Sequence, residues 1–317
     1  MTPPVAELVE RARAGDARAV GRLITLVENA SPLLREVMAA LTPYAGTARI
    51  VGLTGSPGVG KSTSTAALVA AYRAGGLRVG VLAVDPSSPF SGGALLGDRV
   101  RMQDHATDSG VYIRSMASRG HLGGLSWSTP QAVRVLDAAG CDVVLVETVG
   151  VGQAEVEVAS LADTTLVLLA PGMGDAIQAA KAGILEIADV FVVNKADREG
   201  ADQTARDLRH MLSLGERRGS DEWQPPIVKT VASRGEGIED LVAALDRHYS
   251  WLVETSALAV RRRKRAADEI EAIAVTALRE QMGDLHGGSL LDDLAGEVAD
   301  GGVDPYTAAD RLVAALR

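Results

Sequence analysis

GSPGVGKST, residues 55–63, matches the pattern G-x-x-x-x-G-K-[S/T] within a chain of 317 residues. The match follows an apolar run at 49–54 and precedes a helical pattern at 61–74. Glycines allow the backbone to curl so that its N–H groups face phosphate oxygens, and the N-terminus of the next helix adds partial positive charge. A glycine-rich turn that fits by chance is the alternative, but the strand before it and the helix after it favour a phosphate-binding loop.

The pattern also assigns roles to individual residues. We expect Lys61 to bridge the β- and γ-phosphates and Ser62 to be a ligand of Mg²⁺. The predicted nucleotide-binding residues of this loop are Gly55, Ser56, Pro57, Gly58, Val59, Gly60, Lys61, Ser62 and Thr63.

A second motif, NKAD at 194–197, indicates which base is bound. A carboxylate at Asp197 can accept hydrogen bonds from both N1–H and N2–H of guanine, whereas adenine offers no such donor pair. The stem of Lys195 can cover the base, and Asn194 can hold neighbouring loops. A polar turn is the alternative reading of four residues, but the phosphate loop upstream makes the pair specific. The predicted ligands are GTP and GDP.

Three carboxylates are candidates for the metal shell: Asp85, Asp98 and Glu147. Mg²⁺ takes oxygen ligands, and a doubly wound sheet binds its ligands beyond the carboxyl ends of the strands. The alternatives are a turn before Pro86 for Asp85 and a solvated helix cap for Asp98. Together with Lys61, Asp98 and Glu147 are the predicted catalytic residues.

Apolar runs alternate with helical segments through the middle of the chain, at 49–55, 78–86, 142–150, 164–172, 189–197 and 226–232. Such runs predict parallel strands that are buried on both faces. The predicted fold is α/β, a P-loop GTPase with a mostly parallel doubly wound sheet. Its GTPase domain, 46–250, is flanked by an N-terminal helical extension, 1–45, and a C-terminal helical arm, 251–317. One helical segment is expected over about 238–282, and a last helix is expected to begin at Asp304-Pro305.

Composition excludes several classes of protein. A net charge of -9 argues against a nucleic-acid partner. The single cysteine, Cys141, excludes an intrachain disulfide framework and predicts apolar filler in a reducing compartment. No apolar run approaches a membrane span, so a soluble cytoplasmic protein is expected. The basic run RRRKR at 261–265 is interpreted as a solvated face or a salt-bridged dimer surface.

The predicted sensor loop, VVLVETVGVGQAE at 143–155, differs from that of most GTPases. Glu147 ends the strand where Asp is usual, and Val151 follows Gly150 where Gln usually orients the attacking water. Gln153 lies too far along the loop to be assigned that role. We therefore expect slow turnover by the isolated protein and a partner that completes the site.

Six segments together resemble one family: GSPGVGKST, VDPSSPFSGGALLGDRVRM (84–102), SMASRGHLGGLS (115–126), VETVGVGQAE (146–155), PGMGDAIQAAKAGILEIAD (171–189) and NKAD. The combination is similar to the methylmalonyl-CoA mutase-associated GTPases. The resemblance implies a homodimeric G-protein chaperone of the adenosylcobalamin-dependent mutase. Such a chaperone assists cofactor loading, blocks inactive cobalamin and helps to replace damaged cofactor. The resemblance names the adenosyltransferase as a possible further partner.

The resemblance also implies roles for residues. It places Asp85, Asp98 and Glu147 in the metal and switch shell, and it gives Ala232 a backbone contact to guanine. It implies that residues 171–183 form an additional switch that senses the mutase. The switch residues that it implies are Asp175, Gln178 and Lys181. Gly150 and Gln153 of the sensor loop are further predicted switch residues. Ala176, Ile177 and Val231 depart from residues common in relatives, so no side-chain contact is carried over at these positions.

Three other functions are alternatives to a GTPase chaperone. A metal-inserting GTPase would need soft ligands, which one cysteine and scattered histidines do not provide. A P-loop kinase or ATPase of an arginine and ornithine transport system would need ATP, which NKAD disfavours. A scaffold without hydrolysis is disfavoured by the intact Lys61–Ser62 pair.

Overall fold

A computed structural model describes residues 3–85, 107–117, 128–148, 154–172, 183, 185–214, 222–282 and 289–315. The chain divides into two compact units, Met1–Arg262 and Arg263–Arg317. The domain limits expected from the sequence, 46–250 for the GTPase domain with a helical segment on each side, remain predictions about folding units.

Seven strands form one sheet in the larger unit: β1 Arg49–Thr54, β2 Val79–Asp85, β3 Val111–Ala117, β4 Val143–Thr148, β5 Thr164–Leu169, β6 Val190–Asn194 and β7 Ile227–Thr230. Their order is β3-β2-β4-β1-β5-β6-β7, and every neighbouring pair is parallel. This arrangement confirms the predicted α/β fold with a parallel sheet.

The described helices of eight or more residues are α1 Val5–Arg13, α2 Ala17–Glu28, α3 Leu34–Leu41, α4 Lys61–Ala74, α5 Thr129–Ala138, α6 Ala154–Leu161, α7 Ala201–Leu214, α8 Ile238–Glu254, α9 Ala257–Met282, α10 Ser289–Ala299 and α11 Pro305–Ala315. Aspartate side chains cap the N-termini of two of these helices. The carboxylate of Asp16 accepts from the N–H groups of Arg18 and Ala19 at α2, and Asp304 does the same for Tyr306 and Thr307 at α11. Within the described ranges, no helix combines the length and apolar character that crossing a bilayer requires.

The core lies on both faces of the sheet because the central strands are apolar throughout. Every residue of β4 and β5 is buried. Helices α1, α2, α3 and α5 cover one face, and α4 and α8 cover the other. Cys141 lies buried just before β4, where burial raises the pKa of its thiol to about 12. The thiol therefore stays protonated and packs as an apolar group.

Two details differ from the sequence-based expectation. Strand β3 is not among the six predicted strands, because Arg114 and Ser115 interrupt its apolar pattern. Arg114 is neutralised by an ion pair with Glu28 of α2. The segment expected to be helical over about 238–282 is helical but has one interruption. Helices α8 and α9 are separate, and Ser256 between them has a left-handed φ of 61°.

The first two arginines of the basic run RRRKR form ion pairs within the chain, which differs from the solvated face that was one of the two interpretations of this run. Arg261 makes a bidentate pair with Asp189, with both N–O distances 2.8 Å. Arg262 binds the carboxylate of Asp163 at 2.8 Å and the carbonyl of Ala48 at 2.8 Å. These side chains bind loops before β1, β5 and β6 of the same chain, so their ion pairs lie within one chain.

Candidate nucleotide-binding site

The predicted site residues follow the carboxyl ends of neighbouring strands. The phosphate loop follows β1, Glu147 lies near the end of β4, and the NKAD motif begins at the end of β6. Leu53 of β1 stands beside Glu147 of β4 in the strand register. A parallel sheet collects its functional groups at this edge because all its strands end on the same side.

The phosphate loop needs glycine at both of its ends. At Gly55, with φ of 139°, an added Cβ would overlap the carbonyl of Leu168 in β5. At Gly60, with φ of 97°, a Cβ would overlap the side-chain amide of Asn194. The loop therefore lies tight against two other strands, and α4 begins immediately after it.

Lys61 is folded back over this loop. Its ammonium donates hydrogen bonds to the carbonyls of Gly55 at 2.7 Å and Ser56 at 3.2 Å, and the residue is only 7% exposed. The positive charge thus lies against two backbone carbonyls of the phosphate loop. Such a position suits contact with phosphate oxygens.

A buried cluster of oxygen atoms lies at the start of α4. The hydroxyl of Ser62 donates to Oε1 of Glu147 at 2.6 Å, and the hydroxyl of Thr65 donates to Oε2 at 2.9 Å. Glu147 is 4% exposed and Thr65 is fully buried. Hydroxyl donors offset the cost of burying this carboxylate. Thr65 lies outside the sequence motif, although its position three residues after Ser62 places both on one side of the helix.

Asn194 connects three segments of the site. Its amide nitrogen donates to the carbonyl of Val59 at 2.9 Å. Its amide oxygen accepts from the hydroxyl of Thr230 and from the N–H of Ala232, both at 3.1 Å. Hydrogen bonds of Asn194 thereby connect the NKAD motif to the phosphate loop and to the segment after β7. Thr230, like Thr65, lies outside the sequence motifs.

The other two motif residues lie beside Asn194. Lys195, with a φ of 58°, donates from its ammonium to the carbonyl of Gly58 at 2.6 Å. The carboxylate of Asp197 is about one third exposed and lies 3.4 Å from the guanidinium of Arg234. An exposed pair of this kind is weak, so the carboxylate remains open to a base.

Several predicted residues lie outside the described part of the chain: Asp98, Gly150, Gln153, Asp175, Gln178 and Lys181. Asp85 ends β2, and its backbone stands next to Ala117 of β3. The described residues bring Lys61, Ser62 and Glu147 to one place and join Asn194 and Lys195 to the same loop. This arrangement can hold a phosphate chain at one end and a guanine base at the other.

Comparison with known proteins agrees with this geometry. The family model described as "Methylmalonyl Co-A mutase-associated GTPase MeaB" matches residues 20–285. A protein of Pyrococcus horikoshii named as a GTPase is 49% identical over 311 residues, which cover 98% of each chain. The mouse protein "Methylmalonic aciduria type A homolog, mitochondrial" is 39% identical over 214 residues, 67% of this chain and 52% of that protein.

A solved structure is also similar. The crystal structure of an LAO/AO transport system kinase superposes with a TM-score of 0.74 at 29% identity, covering 98% of this chain and 96% of that one. The family model spans well over half of the sequence, and relatives named as GTPases match it along almost its whole length. This chain therefore belongs to the MeaB family of methylmalonyl-CoA mutase-associated GTPases.

Proposed function

We propose that this protein is a Mg²⁺-dependent GTPase that acts in the cytoplasm as a chaperone of methylmalonyl-CoA mutase. In this role it assists loading of adenosylcobalamin and protects and reactivates the mutase. The observation that carries the proposal is the direct link from the guanine motif to the phosphate loop through Asn194 and Val59. This link supports one site that holds both a phosphate chain and a guanine base, and the family description names the mutase.

The residues at the start of α4 fit Mg²⁺. Ser62 and Glu147 provide a hydroxyl and a carboxylate, the hard oxygen ligands that this cation takes, and they are already in contact. Ser62 would bind the ion, and Glu147 would lie in its surroundings together with Asp85 and Asp98. When bound, the cation neutralises charge on the β- and γ-phosphates.

Phosphate binding and base selection are assigned to residues of the protein. Lys61 places a positive charge against the phosphate chain, and the backbone N–H groups of the phosphate loop orient its oxygens. Asp197 selects guanine. Because Val151 occupies the position where Gln usually orients water, the isolated protein should hydrolyse GTP slowly.

The mutase should complete the site through residues 171–183, which follow β5. In this proposal Asp175, Gln178 and Lys181 order against the nucleotide when the mutase binds. The test is single-turnover hydrolysis of GTP with and without saturating mutase, for the wild type and for Lys181→Ala. We expect acceleration by the mutase in the wild type and a blunted response in the variant with an unchanged basal rate. An unchanged wild-type rate would contradict the chaperone proposal.

We also propose that the protein is a homodimer. Helix α9 carries exposed apolar residues, among them Ile270 at 68%, Ile273 at 48% and Leu278 at 59%. Exposed apolar side chains of this size favour association. Light scattering at micromolar concentration should show a dimer for the full chain and a monomer for Ile270→Asp combined with Leu278→Asp. A monomeric wild type would contradict this proposal.

A second candidate function comes from the solved relative named as a transport system kinase. In that case the protein would transfer the γ-phosphoryl group of ATP to a component of an arginine or ornithine transporter. The guanine-type motif 194–197 favours the first proposal. Incubation with γ-labelled ATP or γ-labelled GTP and a purified amino-acid-binding protein distinguishes the two functions, because only a kinase would label the acceptor.

A further inference from the structure

Thr65 is fully buried on α4, one turn after Ser62, and its hydroxyl has two acceptors within reach. One is Oε2 of Glu147 at 2.9 Å, and the other is the carbonyl of Lys61 at 3.1 Å. A hydroxyl has a single proton, so it fully satisfies one of them. The buried carboxylate is the stronger and nearer acceptor, because hydrogen bonds to a charged group are about twice as strong as neutral ones.

The two hydroxyls on α4 therefore hold the two oxygens of one carboxylate. Ser62 donates to Oε1 and Thr65 donates to Oε2, so the carboxylate plane is fixed from both sides. A hydroxyl that has donated its proton presents only lone pairs to its other neighbours. Ser62 is thereby prepared to offer lone pairs to a cation, provided that Glu147 keeps its orientation.

We propose that Thr65 is a positioning residue for the divalent cation. It holds Glu147, and Glu147 in turn directs the proton of Ser62 away from the metal position. This inference rests on the proposed Mg²⁺-dependent GTPase function, and it assigns a role to a side chain outside the phosphate-loop pattern. The alternative is that Thr65 merely caps the carbonyl of Lys61 inside the helix.

The chain offers a matched set of variants. Thr65→Val removes the hydroxyl at nearly constant volume, and Thr65→Ser keeps the hydroxyl. Ser64→Ala is the control, because Ser64 is 1% exposed on the same helix and its hydroxyl has no hydrogen-bond partner. Circular dichroism and thermal unfolding would verify that each variant is folded, and Thr65→Ala would replace Thr65→Val if the latter is not.

The probe is Mn²⁺, whose binding to the full chain saturated with GDP is measured by electron paramagnetic resonance. We expect Thr65→Val to weaken Mn²⁺ binding about tenfold, since one hydrogen bond to a charged group is lost. Thr65→Ser should stay within about twofold of the wild type, and Ser64→Ala should be unchanged. The affinity for GDP in excess EDTA should be the same for all four proteins.

The outcomes of the Mn²⁺-binding measurements separate the role of Thr65 from the metal dependence itself. Equal Mn²⁺ affinity of Thr65→Val and the wild type would overturn the role of Thr65 while leaving the GTPase proposal intact. A loss in Thr65→Ser as large as that in Thr65→Val, or an equal loss in Ser64→Ala, would show a packing effect and would also overturn it. A wild type that binds GDP but no Mn²⁺ would contradict the proposed metal dependence itself.

Discussion

The amide nitrogen of Asn194 donates a hydrogen bond to the carbonyl of Val59 at 2.9 Å, although 135 positions separate the two residues in the chain. The oxygen of the same amide binds Thr230 and Ala232. One buried side chain thus joins the phosphate loop, the end of β6 and the segment after β7. The segments predicted to bind the phosphate chain and the base are therefore joined by the hydrogen bonds of one side chain.

Replacing Asn194 should uncouple these parts. Asn194→Ala removes three hydrogen bonds, so we expect the free energy of unfolding to fall by about 2–3 kcal/mol and GDP affinity to fall at least tenfold. Urea unfolding and titration with a fluorescent GDP analogue measure the two effects. Thr230→Val is the control, because it removes one bond to Asn194 and leaves the bond to Val59. A larger loss of GDP affinity in the control would contradict this reading.

Base selectivity should depend on Asp197. We expect the wild type to bind GTP and GDP far better than ATP. Asp197→Asn should lose guanine selectivity and bind xanthine nucleotides better, because the exchanged amide reverses the donor pattern. Arg234→Ala removes the exposed ion pair with Asp197. We expect this change to alter GDP affinity by less than about fivefold, because exposed ion pairs are weak. Calorimetry that gives equal affinities of the wild type for ATP and GTP would refute the assignment.

Lys61→Ala should abolish tight binding of GTP or its turnover, because it removes the positive charge from the β/γ-phosphate position. Glu147→Ala should instead weaken the Mg²⁺ dependence and hydrolysis while some GDP binding remains. Hydrolysis measured over a Mg²⁺ titration separates the two variants. No change in the titration for Glu147→Ala would remove this residue from the metal surroundings.

Stability should fall in acid partly through Asp189. Burial alone would raise its pKa, but hydrogen bonds from Arg261 and a contact with His248 at 3.2 Å outweigh this and lower the pKa to about 2. A lowered pKa means that the ionised form stabilises the fold. The contribution, about 2 kcal/mol, is therefore present above pH 4 and is lost as the pH falls from about 4 to about 2.

Arg261→Met tests this pH dependence. Urea unfolding at pH 7 should show a deficit of about 2 kcal/mol relative to the wild type, and the deficit should shrink below pH 4 as Asp189 becomes protonated. Arg263→Met, at an exposed arginine of the same basic run, should cost less than about 0.5 kcal/mol. A deficit that stays constant from pH 7 to pH 3 would show that Arg261 acts through packing alone.

The sequence predicted those parts of the fold whose pattern is local. Continuous apolar runs identified β1, β2, β4, β5, β6 and β7, and the phosphate loop fixed the start of α4 at Lys61. Strand β3 escaped detection because it lies at the sheet edge, where Arg114 is tolerated through its ion pair with Glu28. No local pattern reveals a charge that a distant helix neutralises.

The same limit applies to the candidate site. Motif spacing predicted Lys61, Ser62 and Asn194 as site residues, because such motifs have fixed positions in the chain, and the structure places all three around the phosphate loop. Thr65 and Thr230 were missed because each acts through a partner distant in sequence: Thr65 binds Glu147, and Thr230 binds Asn194. Only the folded chain shows these contacts.

The anchoring of Arg261 and Arg262 has a practical consequence for anyone who shortens this protein. The break at Thr255 and Ser256 looks like the natural place to remove the C-terminal helices. A chain cut there would leave Asp163 and Asp189, which are 1% and 6% exposed, without the guanidinium groups that neutralise them. Asp163 would keep the N–H of Ile50, and Asp189 would keep the N–H of Thr165 and the contact with His248, but each would lose its arginine. Removing the cation from a buried ion pair is strongly destabilising, so such a fragment should aggregate. A fragment that ends after Arg262 retains both pairs and is the one to express.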